Sequence, residues 1–161
     1  MSALIDGRRM IGAMLKARRI LHPSDFSTAS RAAFARAVAD ARADRAELLL
    51  VHVLPAVMPL VGDGYVPPQT YEAMERSMRA HGQKQLDKLV AKAKATGARA
   101  QGLLLEGTAA DAIVRAARAK RVDVVVMGTH GRSGLARLFM GSVAERVIGT
   151  APCPVLTVRG R

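Results

Sequence analysis

With 161 residues, half of them hydrophobic, the chain has enough apolar material for one packed domain and too little length for two comfortable ones. Its 25 Lys and Arg outnumber 13 Asp and Glu, for a formal charge of +12. Aromatic residues make up only 3% of the chain and the basic ones are scattered, so the charge speaks for general attraction to polyanions and against a specific nucleic-acid reader. A single cysteine, Cys153, excludes an internal disulfide framework and fits a reducing compartment, the cytoplasm.

The first 17 residues, MSALIDGRRMIGAMLKA, read as a basic extension ahead of a domain spanning 18–161. Asp6, Gly7 and the arginine pair interrupt any signal-peptide core. A flexible segment is the first reading. Docking of Met10, Ile11, Met14 and Leu15 on a membrane surface is the alternative. No apolar run reaches the roughly 18–20 residues that span a bilayer, so stable insertion is not expected.

Residues 19–22, RILH, form a short apolar strand ended by Pro23. Ser24, Asp25 and Ser27 then offer helix-starting side chains, and Phe34, Ala37, Val38 and Ala41 recur at helical steps to about Ala43. ELLLVHVL (47–54) is a continuous apolar run that suits a strand buried on both faces. The Pro- and Gly-rich stretch 55–69 reads as a surface connection. A second helix fits 70–96, with Tyr71, Met74, Met78, Leu86, Leu89, Val90 and Ala93 on one side and Gly97 closing it. ARAQGLLLEG (98–107) is a third strand. Thr108 and Asp111 form a capping pair for a helix to about Lys120. VDVVVMG (122–128) is a fourth strand, Ser142 and Glu145 a second capping pair for a helix ending near Gly149, and APCPVLTV (151–158) the last strand.

Strict β-α alternation implies a parallel sheet with helices on both faces, joined by right-handed crossovers. Ligands of such sheets sit outside the carboxyl ends of the strands, where the strand order reverses. If strands one and four are neighbours there, PSDFS, HVLP and GTHGRSG meet at one site. The last of these opens a basic, glycine-rich stretch, GTHGRSGLARLFMGS (128–142), with the spacing Gly128-x2-Gly131-x9-Gly141-Ser142. Glycines there either serve turns or let an anion approach the backbone closely. A helix start at Gly141-Ser142 favours an anion, with Arg132 or Arg137 able to screen its charge. The spacing is neither a Walker P-loop nor a dinucleotide fingerprint, and GRSG is not a nucleophile elbow.

HPSDFS, LLVHV and VVMGTHGRSGLARLFMGSVAERVIGTAPCPVLTV resemble the universal stress protein family, specifically its ATP-binding branch, over residues 19–158. The resemblance implies a single-domain, Rossmann-like α/β fold whose open five-stranded parallel sheet runs 3-2-1-4-5. It also implies an ATP site, with Mg2+, in a nucleotide-dependent stress-response switch. Asp25 would hold the ribose or a metal near the phosphates, and Pro23 and Val53 would border the adenine. Met127 and Gly128 would line the pocket, with His130 and Arg132 beside them. Gly131, Gly141, Ser142 and the backbone of Val143 would hold the phosphates. Homodimerisation would run through the last strand, Val155 to Val158, an edge with unpaired backbone groups. Ala109 departs from the family, which often has proline there.

Rival chemistries have less support. His22, His52 and His130 fall near strand ends and could suggest zinc, yet no acid–His ligand spacing accompanies them and no metal site is expected. Cys153, between two prolines, reads as a small core residue. No catalytic residue is assigned, because no base is placed for water and no Lys for the β/γ-phosphates. Slow ATP hydrolysis or autophosphorylation is the enzymatic alternative, and a dimeric interaction module without nucleotide is the second.

Overall fold

The continuous apolar runs become strands, of which the central three are covered on both sides. In the computed structural model, which describes residues 16–56, 67–129 and 140–159, these are β1 (Arg19–Pro23), β2 (Glu47–Leu54), β3 (Arg99–Glu106), β4 (Val124–Gly128) and β5 (Val155–Val158). Between them lie α1 (Thr28–Asp44), α2 (Pro68–Ala95), α3 (Ala109–Ala119) and α4 (Ser142–Thr150). The strands form one parallel sheet in the order β3-β2-β1-β4-β5. The expected order and the adjacency of strands one and four are therefore observed.

Alternation along each strand divides the core in two. Ile20, Leu48 and Leu50 face α1 and α2 and pack with Phe34, Ala37 and Leu86. Leu21, Leu49 and Val51 face α3 and α4 and pack with Ile113, Val125 and Val147. Leu48, Leu49, Leu50 and Val51 are all fully buried, and each such side chain contributes about 1.5–3 kcal/mol. Ala17 also lies in the core, and its N–H donates to Asp44 Oδ2 at 3.0 Å.

Three helices end in a left-handed residue. Gly97 closes α2 at φ +87°, with the Ala98 and Gly97 amides bonded back to the Ala93 and Lys94 carbonyls. Arg45 after α1 and Arg121 after α3 adopt φ +56° and +49° without being glycine. Their hydrogen bonds back to the last turn hold them there.

The helix starts differ from the capping pattern in the sequence. Ser27 caps α1 as its position suggests, its Oγ accepting from the Ser30 N–H at 3.3 Å. Thr108 is the N-cap of α3 but makes no side-chain cap bond. Ser142 is not a cap: Gly141 holds that place, and α4 begins at Ser142. α2 begins at Pro68, two residues before the expected start, because proline's missing N–H costs nothing in a first turn.

The 28 residues of α2 extend about 42 Å, whereas the eight of β3 beneath it extend about 26 Å. The apolar stripe read along this helix consequently outruns the sheet. No residue from Pro67 to His81 is buried, Met74 is 52% exposed, and burial starts at Gly82 and continues at Leu86 and Ala93.

Candidate functional site

β1 and β4 pair through Ile20–Val124 and Leu21–Val125, and the register stops there. β1 ends in Pro23, which has no N–H to offer its neighbour. The imidazole of His22 supplies a donor instead, its Nδ1–H reaching the Val126 carbonyl at 2.8 Å. A carbonyl only accepts, so Nδ1 carries the proton, and the fully buried Nε2 has no partner among the described residues. Burial pushes the His22 pKa down from 6.5 to about 4, outweighing the Val126 hydrogen bond and the nearby Asp25 charge. His22 is thus a neutral wedge where the two strands part.

The chain leaving β1 is tightly specified. The Ser24 N–H donates to the Val51 carbonyl at 2.8 Å, and Ser24 Oγ accepts the Phe26 N–H at 3.1 Å. Asp25 Oδ1 accepts the Ser27 N–H at 3.0 Å, holding the carboxylate at the start of α1. Phe26 occupies φ +63°, a conformation aromatic residues rarely adopt, with its ring 4.2 Å from that of His52. His52 Nδ1–H donates to the Ser24 carbonyl at 2.8 Å, tying the end of β2 to the same turn.

β4 leaves the sheet through Gly128 and Thr129. The Gly141 N–H donates to the Thr129 carbonyl at 2.8 Å, which sets the start of α4 directly beside that exit. The first-turn amides of Ser142, Val143 and Ala144 then have no helical acceptor, and the N-cap, a glycine, has no side chain to bond them. Gly141 sits at φ −65° and ψ 144°, backbone open to any residue, so its lack of a side chain is the feature that matters here.

Between these segments lies a cleft of about 370 Å³. Pro23, Asp25, Val53, Met127, Gly128, Gly141, Ser142 and Val143 all line it. His130, Gly131 and Arg132 lie outside the described residues, as do Arg137 and the extension 1–15. The cleft also takes in Ser24, His52 and Thr129, which belong to the three segments expected to meet there, and Ser30, Val51, Ala109, Ile113 and Ala144, which sequence reasoning did not assign to it. Ala109 and Ile113 come from α3, which crosses the sheet to reach the switch point. Only the strand order brings them there, although the Thr108 start signal marked the helix itself.

The lining combines an apolar floor (Val51, Val53, Ile113, Met127) with the first turns of α3 and α4. An Arg146–Asp111 ion pair at 3.0 Å ties those two helices together. Asp25 is the one carboxylate among the described lining residues, and no lysine is present. Among the described residues, no three His, Cys, Asp or Glu come together to hold a metal. The Cys153 thiol is pushed up, first by burial and then by the Asp123 charge, the reverse of an activated nucleophile.

The model of the universal stress protein family matches residues 16–159. A universal stress protein of Methanocaldococcus jannaschii is 38% identical over 143 residues, covering 88% of this chain and 82% of its own. Among solved structures, a universal stress protein from Lactobacillus plantarum superposes with a TM-score of 0.73 at 25% identity, covering 88% of this chain and 97% of its own. An Arabidopsis thaliana family member solved with AMP bound superposes at 0.62 and 22% identity, over 89% of this chain and 92% of its own. No described helix is long and apolar enough to cross a membrane.

Proposed function

Since the chain belongs to the universal stress protein family, we propose that its cleft binds ATP and that the protein works as a nucleotide-dependent stress-response switch. The observation that carries this reading is the pairing of two uncapped helix starts, α3 and α4, with an apolar floor in one cleft. Free amides and helix dipoles at such starts favour phosphate, and an apolar floor of this size favours a flat ring. Pro23 and Val53 would border the adenine, while Met127 and Gly128 would line the middle of the cleft. The amides of Ser142 and Val143, with the Ser142 hydroxyl, would hold the phosphates. The Gly141 N–H is already committed to Thr129, so Gly141 would contribute space rather than a hydrogen bond. Asp25 would meet the ribose or a phosphate-bound Mg2+, an ion that commonly takes one or two carboxylates plus phosphate and water. His130, Gly131 and Arg132 would complete the phosphate end.

The solved relative with AMP makes an adenine nucleotide the first ligand to test, while the chemistry rests on this chain's own cleft. Binding is favoured over turnover because the described lining offers a single carboxylate, already engaged by the Ser27 N–H, and no lysine. Among the described strands β5 pairs on one side only, with β4, so Val155–Val158 would join a second copy at that edge. ATP would then bias which surface the dimer presents. Calorimetric titration of nucleotide-stripped protein with Mg-ATP tests this, with AMP as comparison. Micromolar affinity, about −8 kcal/mol, with AMP clearly weaker, is expected. Absence of heat with either nucleotide overturns the assignment.

A further inference from the structure

The end of the sheet remote from this cleft carries a second concavity. The amino ends of β1 and β3 and the C-terminal end of α1 enclose about 490 Å³ lined by Lys16, Ala17, Arg18, Asp44, Arg45 and Arg99. Arg19, Arg36, Arg76, Arg79 and Arg146 are matched with carboxylates. The side chains of Lys16, Arg18, Arg45 and Arg99, like those of Arg31, Arg42, Arg115, Arg118 and Arg121, make no ion pair or hydrogen bond among the described residues, and what sets the four apart is that they line one concavity.

The carboxylates nearest the concavity accept backbone N–H groups, Asp44 Oδ2 that of Ala17 at 3.0 Å and Asp123 Oδ2 those of Arg18 and Arg19 at 2.7 and 2.8 Å. In the last turn of α1 the Ala41 carbonyl accepts from Ala46 and the Arg42 carbonyl from Arg45. In the lining itself, four cations against one committed carboxylate leave a surplus of three positive charges facing one small volume. Among the described lining residues Ala17 alone is apolar, a lining better suited to a compact anion than to a base or an acyl chain. Guanidinium forks match phosphate oxygens in pairs. We propose that this concavity binds a compact oligophosphate, a short chain of phosphates with no nucleobase, independently of the nucleotide cleft at the opposite end.

The test is calorimetric titration of the full chain with inorganic tripolyphosphate, on wild type and three variants. R18Q/R99Q removes two exposed, unpaired cations and should weaken binding at least about tenfold, or 1.4 kcal/mol. It should also lower the slope of log K against log salt by about 1–2. With the nucleotide cleft saturated by Mg-ATP, K84Q/K88Q, equal in charge change but on the exposed face of α2, should bind the probe as wild type does, and G141V should still bind it at the concavity. Undetectable binding to wild type, or unchanged binding by R18Q/R99Q, would overturn the proposal. So would complete loss in G141V, which would put the probe in the nucleotide cleft alone, or a loss in K84Q/K88Q equal to that in R18Q/R99Q, which would mean diffuse attraction. Mg-ATP titrations of the same proteins report separately on the nucleotide site, so either idea can fail alone.

Discussion

Protonating His22 should be one of the main ways acid destabilises this fold. Its folded pKa is about 4 against an ordinary value of 6.5, because the ring is fully buried. Between those values the unfolded chain takes up a proton that the folded chain refuses. Stability therefore falls as pH drops through the window from 6.5 to 4, with no contribution from this group well above pH 7 and a plateau below pH 4. A gap of about 2.5 pH units at 1.36 kcal/mol each amounts to about 3 kcal/mol, a large fraction of the 5–15 kcal/mol typical of a domain. Carboxylates titrate in the same range, so the measurement is a difference. His22→Asn keeps an amide N–H near Nδ1 to serve the Val126 carbonyl but cannot titrate. It should be less stable than wild type at pH 7.5, owing to the lost ring volume beside Phe34, and that deficit should shrink by about 3 kcal/mol on going to pH 4. Urea unfolding at four or five pH values measures both curves. Parallel curves, or a His22 ring that titrates near 6.5 by NMR, would refute the reasoning.

Gly141→Val should fold normally, because φ −65° suits any residue, yet lose Mg-ATP binding by calorimetry as its side chain fills the phosphate end. Asp25→Ala should weaken Mg-ATP about tenfold, or 1.4 kcal/mol, in the same titration, and the loss should be smaller when Mg2+ is withheld. Gly102→Ala places a Cβ 2.9 Å from Leu86 Cγ and 3.2 Å from Val90 Cγ2. Denaturant unfolding should show this overpacking as a loss of about 1–3 kcal/mol. Arg121→Gly relieves a left-handed residue after α3 and should raise stability by about 1 kcal/mol, seen as a higher urea midpoint.

The sheet was legible because its signals are local and redundant. ELLLVHVL and VDVVVMG are too short and too apolar for surface helices, and each is bounded by helix punctuation, so a parallel β-α alternation followed, while the strand order came from the family resemblance. Helix caps were less legible, since Ser142-x-x-Glu145 matches a capping box while the Gly141–Thr129 hydrogen bond moves the cap back by one residue. Arg45 and Arg121 carry no glycine to announce their left-handed turns, and only the hydrogen bonds back to the helix impose them. In the cleft, residues at strand exits could be read from the chain, whereas Ala109 and Ile113 depend on where α3 lands after crossing the sheet. His22 was weighed as a metal ligand. Its place, bonded to Val126 beside a proline that offers no N–H, depends on the neighbouring strand and not on its own sequence context.

The overhang of α2 divides that helix into two mechanical parts. From Gly82 onward it is clamped by the sheet, with Leu86 and Ala93 buried, and cannot loosen without opening the core. From Pro68 to His81 it is a cantilever, with no buried residue and the Arg79–Glu106 ion pair as its brace near the root. A helix of three to four turns is marginal alone in water, so this outer arm borrows much of its order from the clamped half. Shortening the arm, lengthening it or grafting another segment onto its tip would leave the sheet and both of its concavities untouched.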